Sequence, residues 1–86
     1  MTIEERLDNY SWNVWALRAE RGWSQERLAE ESGLTHVTIS RIENKQKLDG
    51  RVSTLLALAD TFGVGVEVLF GEKIKALTPP YTRKNQ

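Results

Sequence analysis

Apolar residues along this 86-residue chain recur at three- and four-residue spacings, broken at intervals by glycines and small polar residues. Such spacing places apolar side chains on one face of a helix, and glycine or a capping Ser or Thr marks where each helix stops or starts. The pattern predicts an all-α chain of five helices. Helix one covers residues 10–21, and the capping-box spacing of Thr2 and Glu5 carries its start back toward Ile3. Its core stripe is Ile3, Leu7, Tyr10, Val14 and Leu17. Helix two covers residues 25–32, helix three 36–43 and helix four 51–62, where Gly63 stops it. Leu55, Leu56, Leu58, Ala59 and Phe62 of helix four close the core. Helix five is short, residues 66–70, between Gly65 and Gly71. Residues 1–71 form one domain, with 1–9 as a helical extension, and 72–86 form a C-terminal extension that is partly flexible. Any β structure is confined to that tail.

The stretch from Gln25 to Asn44 carries the most information. Ser24 caps a helix that turns Leu28 inward. Ala29 is small, as two helices crossing steeply beside their shared turn require. Gly33 ends the helix, because a tight reversal there needs a left-handed backbone. Thr35 caps the next helix, whose buried face is Leu34, Ile39 and Ile42. Two short helices around one glycine describe a helix-turn-helix, and the first functional expectation is sequence-specific binding to double-stranded DNA.

At about 100° per residue, Ile39 and Ile42 fall near Thr35, while His36, Val37, Ser40, Arg41 and Asn44 gather on the opposite side. That outward mixture suits a DNA groove. Arg41 can give a bidentate bond to guanine, His36 can donate or accept, and Val37 can touch a thymine methyl. With Thr38 and Ser40 these are the candidates for base readout. The plainer reading of Arg41 and His36 is a solvated surface helix.

The run LRAERGWSQERLAEESGLTHVTISRIENKQK, followed by LLALADTFGVGVEVLFG, resembles the phage repressor and Cro type of helix-turn-helix domain, the XRE family, over residues 10–71. The resemblance implies a lambda-repressor-like five-helix fold with the helix-turn-helix at helices two and three. It also implies that Arg18 pairs with Glu43 as a structural tie between the first helix and the end of the recognition helix. Gln25, Asn44 and the loop after it match positions that hold the DNA backbone, which sets register rather than base choice, and Thr35, Lys45, Lys47 and Arg51 join them as phosphate candidates. Two positions depart from the family pattern. Lys45 stands where a glycine is usual, and Asp49 brings a negative charge near the phosphate path, which Lys45, Lys47 and Arg51 can offset.

Charge is where the sequence first argues against a nucleic-acid partner, since 12 Lys and Arg balance 12 Asp and Glu. Its distribution answers the objection. Residues 1–31 hold four cations and seven anions, 32–51 four and two, 52–71 none and two, and 72–86 four and one. Positive charge thus gathers on the recognition helix, its following loop and the tail. With so few basic groups per protomer, useful affinity comes from two protomers on one operator. A two-fold dimer places its recognition helices about 34 Å apart and predicts a pseudo-palindromic site. Val66, Leu69, Phe70, Ile74 and Leu77 are the candidate dimer surface.

The chain has no cysteine and one histidine, which leaves no cysteine or multi-histidine metal site. No cofactor is expected. No apolar run approaches the roughly 20 residues that span a bilayer, and the acidic start is unlike a secretory signal, so the expected compartment is the cytoplasm. Glu26, Glu30, Glu31 and Glu43 read as helix-surface acids rather than acid–base catalysts, because no nucleophile or phosphate loop accompanies them. The chain is therefore not read as an enzyme.

Trp12, Trp15 and Ala19 lie about 180° from the core stripe of helix one. Either the extension after Gly71, with Ile74, Leu77, Pro79, Pro80 and Tyr81, folds over them, or they meet a protein partner such as a toxin or polymerase. Trp23 is read as packing. The family resemblance implies a stand-alone transcriptional regulator of the repressor, restriction-modification controller or antitoxin kind. A protein-binding transcriptional adaptor using the same fold is the alternative, and fold alone does not separate the two.

Overall fold

The structure, a computed structural model, describes residues 1–46 and 51–75. Among them are five helices and no strand: α1 (Ile3–Glu20), α2 (Gln25–Ser32), α3 (His36–Glu43), α4 (Val52–Phe62) and α5 (Val66–Phe70). The all-α, five-helix expectation holds. Lys47 and Asp49, and the tail residues Leu77, Pro79, Pro80 and Tyr81, lie outside the described residues.

Local chemistry accounts for most of the helix boundaries. Thr2 Oγ1 accepts from the Glu5 amide, and Glu5 Oε1 accepts from the Thr2 amide, so the first helix starts at Ile3 rather than at Tyr10. The hydrogen bond from the Thr2 amide, and after it one from the Thr2 side chain, lower the Glu5 carboxyl below its ordinary range. Ser24 Oγ and Thr35 Oγ1 accept from the amides of Arg27 and Thr38, which fixes the starts of α2 and α3. Gly33 sits at φ 77° and its amide donates to the Ala29 carbonyl, closing α2 in a left-handed turn that a side chain would strain.

The larger of two core clusters joins all five helices. Tyr10, Val14 and Leu17 of α1 meet Leu28, Ile39 and Ile42 of the α2–α3 pair, Leu58, Ala59 and Phe62 of α4, and Leu69 of α5. Helix α1 packs on α3 and α5, α2 packs on α3 and α4, and α4 packs on α5. Two parts of the expected core are outside it. Ile3 is 76% exposed and Leu7 38%, because the first turns of α1 run past the body that buries the helix from Asn9 onward. Leu56 is 55% exposed, since α4 turns Leu58, Ala59 and Phe62 inward and leaves Val52 and Leu56, one turn apart, on the other side. Arg51 is the cap of α4 rather than its first residue.

A second apolar cluster occupies the other face of α1. Trp15, Ala16 and Ala19 are buried there, with Trp12 and Ile74 packed against them. The two indoles lie 4.9 Å apart at a tilt of 56°, and Trp12 Nε1 donates to the Ile74 carbonyl at 2.8 Å. Of the two covers weighed for these tryptophans, Ile74 supplies the intramolecular one within the described chain. Trp15, 2% exposed, is therefore core rather than free surface.

Asn13 explains how that cover is held. It is fully buried between the two clusters, and its Nδ2 lies 3.1 to 3.4 Å from the carbonyls of Val68, Leu69, Gly71 and Glu72. Two amide hydrogens shared over four carbonyls satisfy the end of a five-residue helix that has too few turns to satisfy itself. Asn13 Oδ1 accepts from the Ile74 amide at 2.8 Å, so one side chain ends α5 and turns the chain onto the tryptophans. No helix of the described residues is long and apolar enough to cross a membrane.

Candidate nucleic-acid interface

The α2–α3 pair is held to α1 by a buried ion pair. Arg18 donates through Nε to Glu43 Oε2 and through Nη2 to Glu43 Oε1, both at 2.7 Å, and its Nη1 donates to the Trp23 carbonyl at 2.9 Å. Side-chain exposure is 4% for Arg18 and none for Glu43. The parallel, two-point bond fixes α3 in both position and rotation, because a guanidinium fork meets a carboxylate in one plane. Glu43 is thus a buried tie and not a surface acid.

With Ile39 and Ile42 buried, α3 turns its other side outward. His36, Val37 and Arg41 are exposed there, Thr35, Asn44 and Lys45 are exposed at its two ends, and Thr38 and Ser40 are half-buried. The cap of α3 engages two of the candidates: Thr35 Oγ1 lies 2.9 Å from Thr38 Oγ1 and also accepts from the Thr38 amide. Asn44 Nδ2 donates to Ser40 Oγ at 3.3 Å. Val37, at 54% exposure, is a large apolar side chain in the middle of a polar face.

Gln25 bridges the buried pair and this face. Its Nε2 donates to Glu43 Oε1 at 3.1 Å, and its Oε1 lies 2.9 Å from His36 Nε2. The first residue of α2 therefore touches the first residue of α3 at one side and its last residue at the other.

The turn after α3 closes as a left-handed cap. The Gln46 amide donates to the Arg41 carbonyl at 2.7 Å and the Lys45 amide to that of Ile42 at 3.1 Å, with Lys45 at φ 57°. Lys45 takes the backbone that a glycine would hold at this position, at a cost of about 1 kcal/mol. Its ammonium pairs with Asp8 of α1, and Lys73 pairs with the other oxygen of Asp8 at 2.6 Å. The hydrogen bonds from Lys45 and then Lys73 lower the Asp8 carboxyl to about 2. Nothing in the sequence around Asp8 announces this bracket, which was missed. The dimer candidates divide as well. Val66, Phe70 and Ile74 are half-buried, whereas Leu69 is fully buried in the protomer core and has no surface to offer a second copy.

A family model described as helix-turn-helix matches residues 16–69, which takes in Arg18, the whole α2–α3 pair and α5 through Leu69. The chain belongs to the XRE-type helix-turn-helix family. Two helix-turn-helix relatives, each named "HTH-type transcriptional regulator PuuR", from Escherichia coli (strain K12) and Shigella flexneri, are 41% identical over 63 residues. The match takes in 73% of this chain and 34% of each relative, so the chain spans about a third of their length. Among solved structures, a hypothetical transcription factor, NHTF, from Neisseria superposes with a TM-score of 0.71 at 27% identity, over 90% of this chain and 78% of that one.

Proposed function

We propose that this chain is a sequence-specific, double-stranded DNA-binding transcriptional regulator that works as a dimer on a pseudo-palindromic operator. One observation carries the reading: α3 presents His36, Val37 and Arg41 on a face that no described helix covers, on a support fixed by the Arg18–Glu43 pair. A helix rotated about its axis by even a fraction of a turn would present different side chains, so a buried two-point bond at its end is what base readout needs. The family and the names of its relatives agree with this use of the face.

In this reading Arg41 and His36 address base edges, with Val37 against a thymine methyl and Thr38 and Ser40 beside them. Gln25, Thr35, Asn44, Lys45, Lys47 and Arg51 serve the backbone. The dimer uses Val66 and Phe70, and the exposed Val52 and Leu56 on α4, against which α5 packs, add apolar area. The test is selection from a random duplex library at moderate salt, with sedimentation of the protein alone and on the selected duplex. A palindromic motif bound by two protomers is expected. Enrichment of no sequence would sink operator recognition and turn attention to a protein-binding adaptor, and one protomer per site would sink the dimer. Arg41→Ala should lose about 1 to 3 kcal/mol on the selected sequence and relax choice at one position. Equal weakening on every duplex would make Arg41 a phosphate contact instead.

A further inference from the structure

The contact between Gln25 and His36 determines more than the position of the histidine ring. Glu43 is fully buried, and both of its oxygens accept from Arg18, so toward Gln25 it can only accept. The Gln25 atom 3.1 Å from Glu43 Oε1 must therefore be the amide nitrogen. That choice leaves the amide oxygen facing His36. An amide oxygen has no hydrogen to give, so the His36 Nε2 at 2.9 Å must carry one. Each step excludes the reverse assignment, because a flipped Gln25 would set two acceptors against each other at the buried carboxylate.

From this chain of polarity we propose that Gln25 is a positioning residue that makes the neutral His36 an acceptor toward DNA: Nε2–H is committed to Gln25, and the lone pair on Nδ1 meets a base edge. Among the described residues nothing hydrogen-bonds Nδ1, and His36 is exposed. In the major groove an acceptor is matched by an exocyclic amino group, N6 of adenine or N4 of cytosine, whereas guanine and thymine present only acceptors or a methyl. His36 then selects adenine or cytosine at the base it contacts. It does not bind phosphate, whose oxygens would oppose the same lone pair. The second hydrogen of Gln25 Nε2 stays available for a backbone oxygen, which would hold the amide in the same orientation. The inference rests on the proposed DNA-binding reading for its base preference, but its first half concerns the free protein.

Two measurements test it, both in a buffer alkaline enough to keep imidazole neutral. Long-range ¹⁵N–¹H correlation of the free wild-type protein, which has one histidine, should show a protonated Nε2 and an unprotonated Nδ1. A protonated Nδ1 would overturn the proposal whatever the protein binds. In Gln25→Met, which keeps the shape and removes both hydrogen bonds, the two tautomers should become mixed, provided circular dichroism shows the fold intact. An unchanged tautomer would show that Gln25 does not set it. Library selection with wild type, Gln25→Met and His36→Ala then reads the base. One position should carry adenine or cytosine in wild type and lose that preference on the order of tenfold in both variants, while the Arg41 position keeps its own. Guanine or thymine there, or a uniform loss on all sequences in His36→Ala, overturns the assignment. A protein that selects no sequence fails the proposed function itself, and the spectrum of the free protein distinguishes that failure from this one.

Discussion

Two ionic ties join α1 to the end of the recognition helix, and they differ in almost every respect but that one. Arg18 and Glu43 are buried and locked in parallel hydrogen bonds, while Asp8 meets Lys45 and Lys73 at the surface with side-chain exposures of 34%, 54% and 48%. In low dielectric a paired charge cannot fall back on water if its partner is removed, whereas a surface charge can. The difference separates two tasks. The buried pair fixes the geometry of α3, and through Gln25 the polarity of His36. The surface bracket holds a lysine that the proposed function needs elsewhere, so it must be strong enough to order Lys45 and weak enough to release it.

The largest effect is therefore expected at the buried pair. Glu43→Ala leaves the Arg18 guanidinium without its carboxylate and should destabilise the protein by about 3 to 5 kcal/mol, read by urea unfolding. For a small domain of ordinary stability this is a large share of the total. A loss below about 1 kcal/mol would mean that water reaches the site, and the contrast between the two ties would disappear. Arg18→Met combined with Glu43→Leu sharpens the point. Replacing a buried pair by apolar side chains is often neutral or stabilising, so the double variant should recover most of the stability lost by Glu43→Ala. It should nevertheless lose the base preference at the His36 position, because Gln25 no longer has a carboxylate to orient it. Full stability with unchanged preference would show that packing alone orients α3.

How far each tie was legible in the sequence follows from the same physics. Helix ends could be read, because Ser24, Gly33 and Thr35 act on the backbone within a few residues of themselves. Arg18–Glu43 was legible only through the family resemblance, since a buried pair joining distant helices has no local signature. Asp8–Lys45 left no trace at all, because a surface charge is compatible with many partners. Asn13 carried a usable signal that went unread: a polar amide between Trp12 and Val14, on a helix apolar on both sides, has to be satisfied by something if it is buried. The carbonyls at the end of α5 are that something. Leu7 and Leu56 misled because periodicity reports which residues share a face and not whether a neighbour reaches that face.

A smaller effect is expected at the bracket. Asp8→Asn should change stability by no more than about 1 kcal/mol, as exposed pairs do. On DNA its effect should be favourable. Releasing Lys45 removes a competitor for the phosphate, so affinity should rise on every sequence alike, and the slope of log K against log salt should steepen by about one unit. Titration of the selected duplex at several salt concentrations measures both. Weaker binding would mean that Asp8 places Lys45 for the phosphate rather than withholding it. Lys45→Gly is the companion variant. It relieves the left-handed strain at φ 57° but deletes the ammonium, so the fold should hold or gain slightly while DNA binding weakens with a shallower slope.

The smallest effect is the acid response of the bracket. Asp8 is lowered to about 2 in the folded protein, first by the hydrogen bond from Lys45 and then by that from Lys73. An unfolded aspartate titrates near 3.9. Because the folded value is the lower of the two, the unfolded chain takes up the proton first. The bracket's contribution to stability is therefore present above about pH 4 and fades as pH falls toward about 2. With the side chain a third exposed, solvent and salt screen the interaction, and the change should be a fraction of a kcal/mol at physiological ionic strength. Subtracting the acid-unfolding profile of Asp8→Asn from that of the wild type isolates it from the other carboxylates. A difference that persists below pH 2 would assign the stabilisation to packing of the Asp8 side chain. A difference that vanishes across this window, and shrinks with added salt, would assign it to charge, leaving the buried pair as the tie that survives where the surface one dissolves.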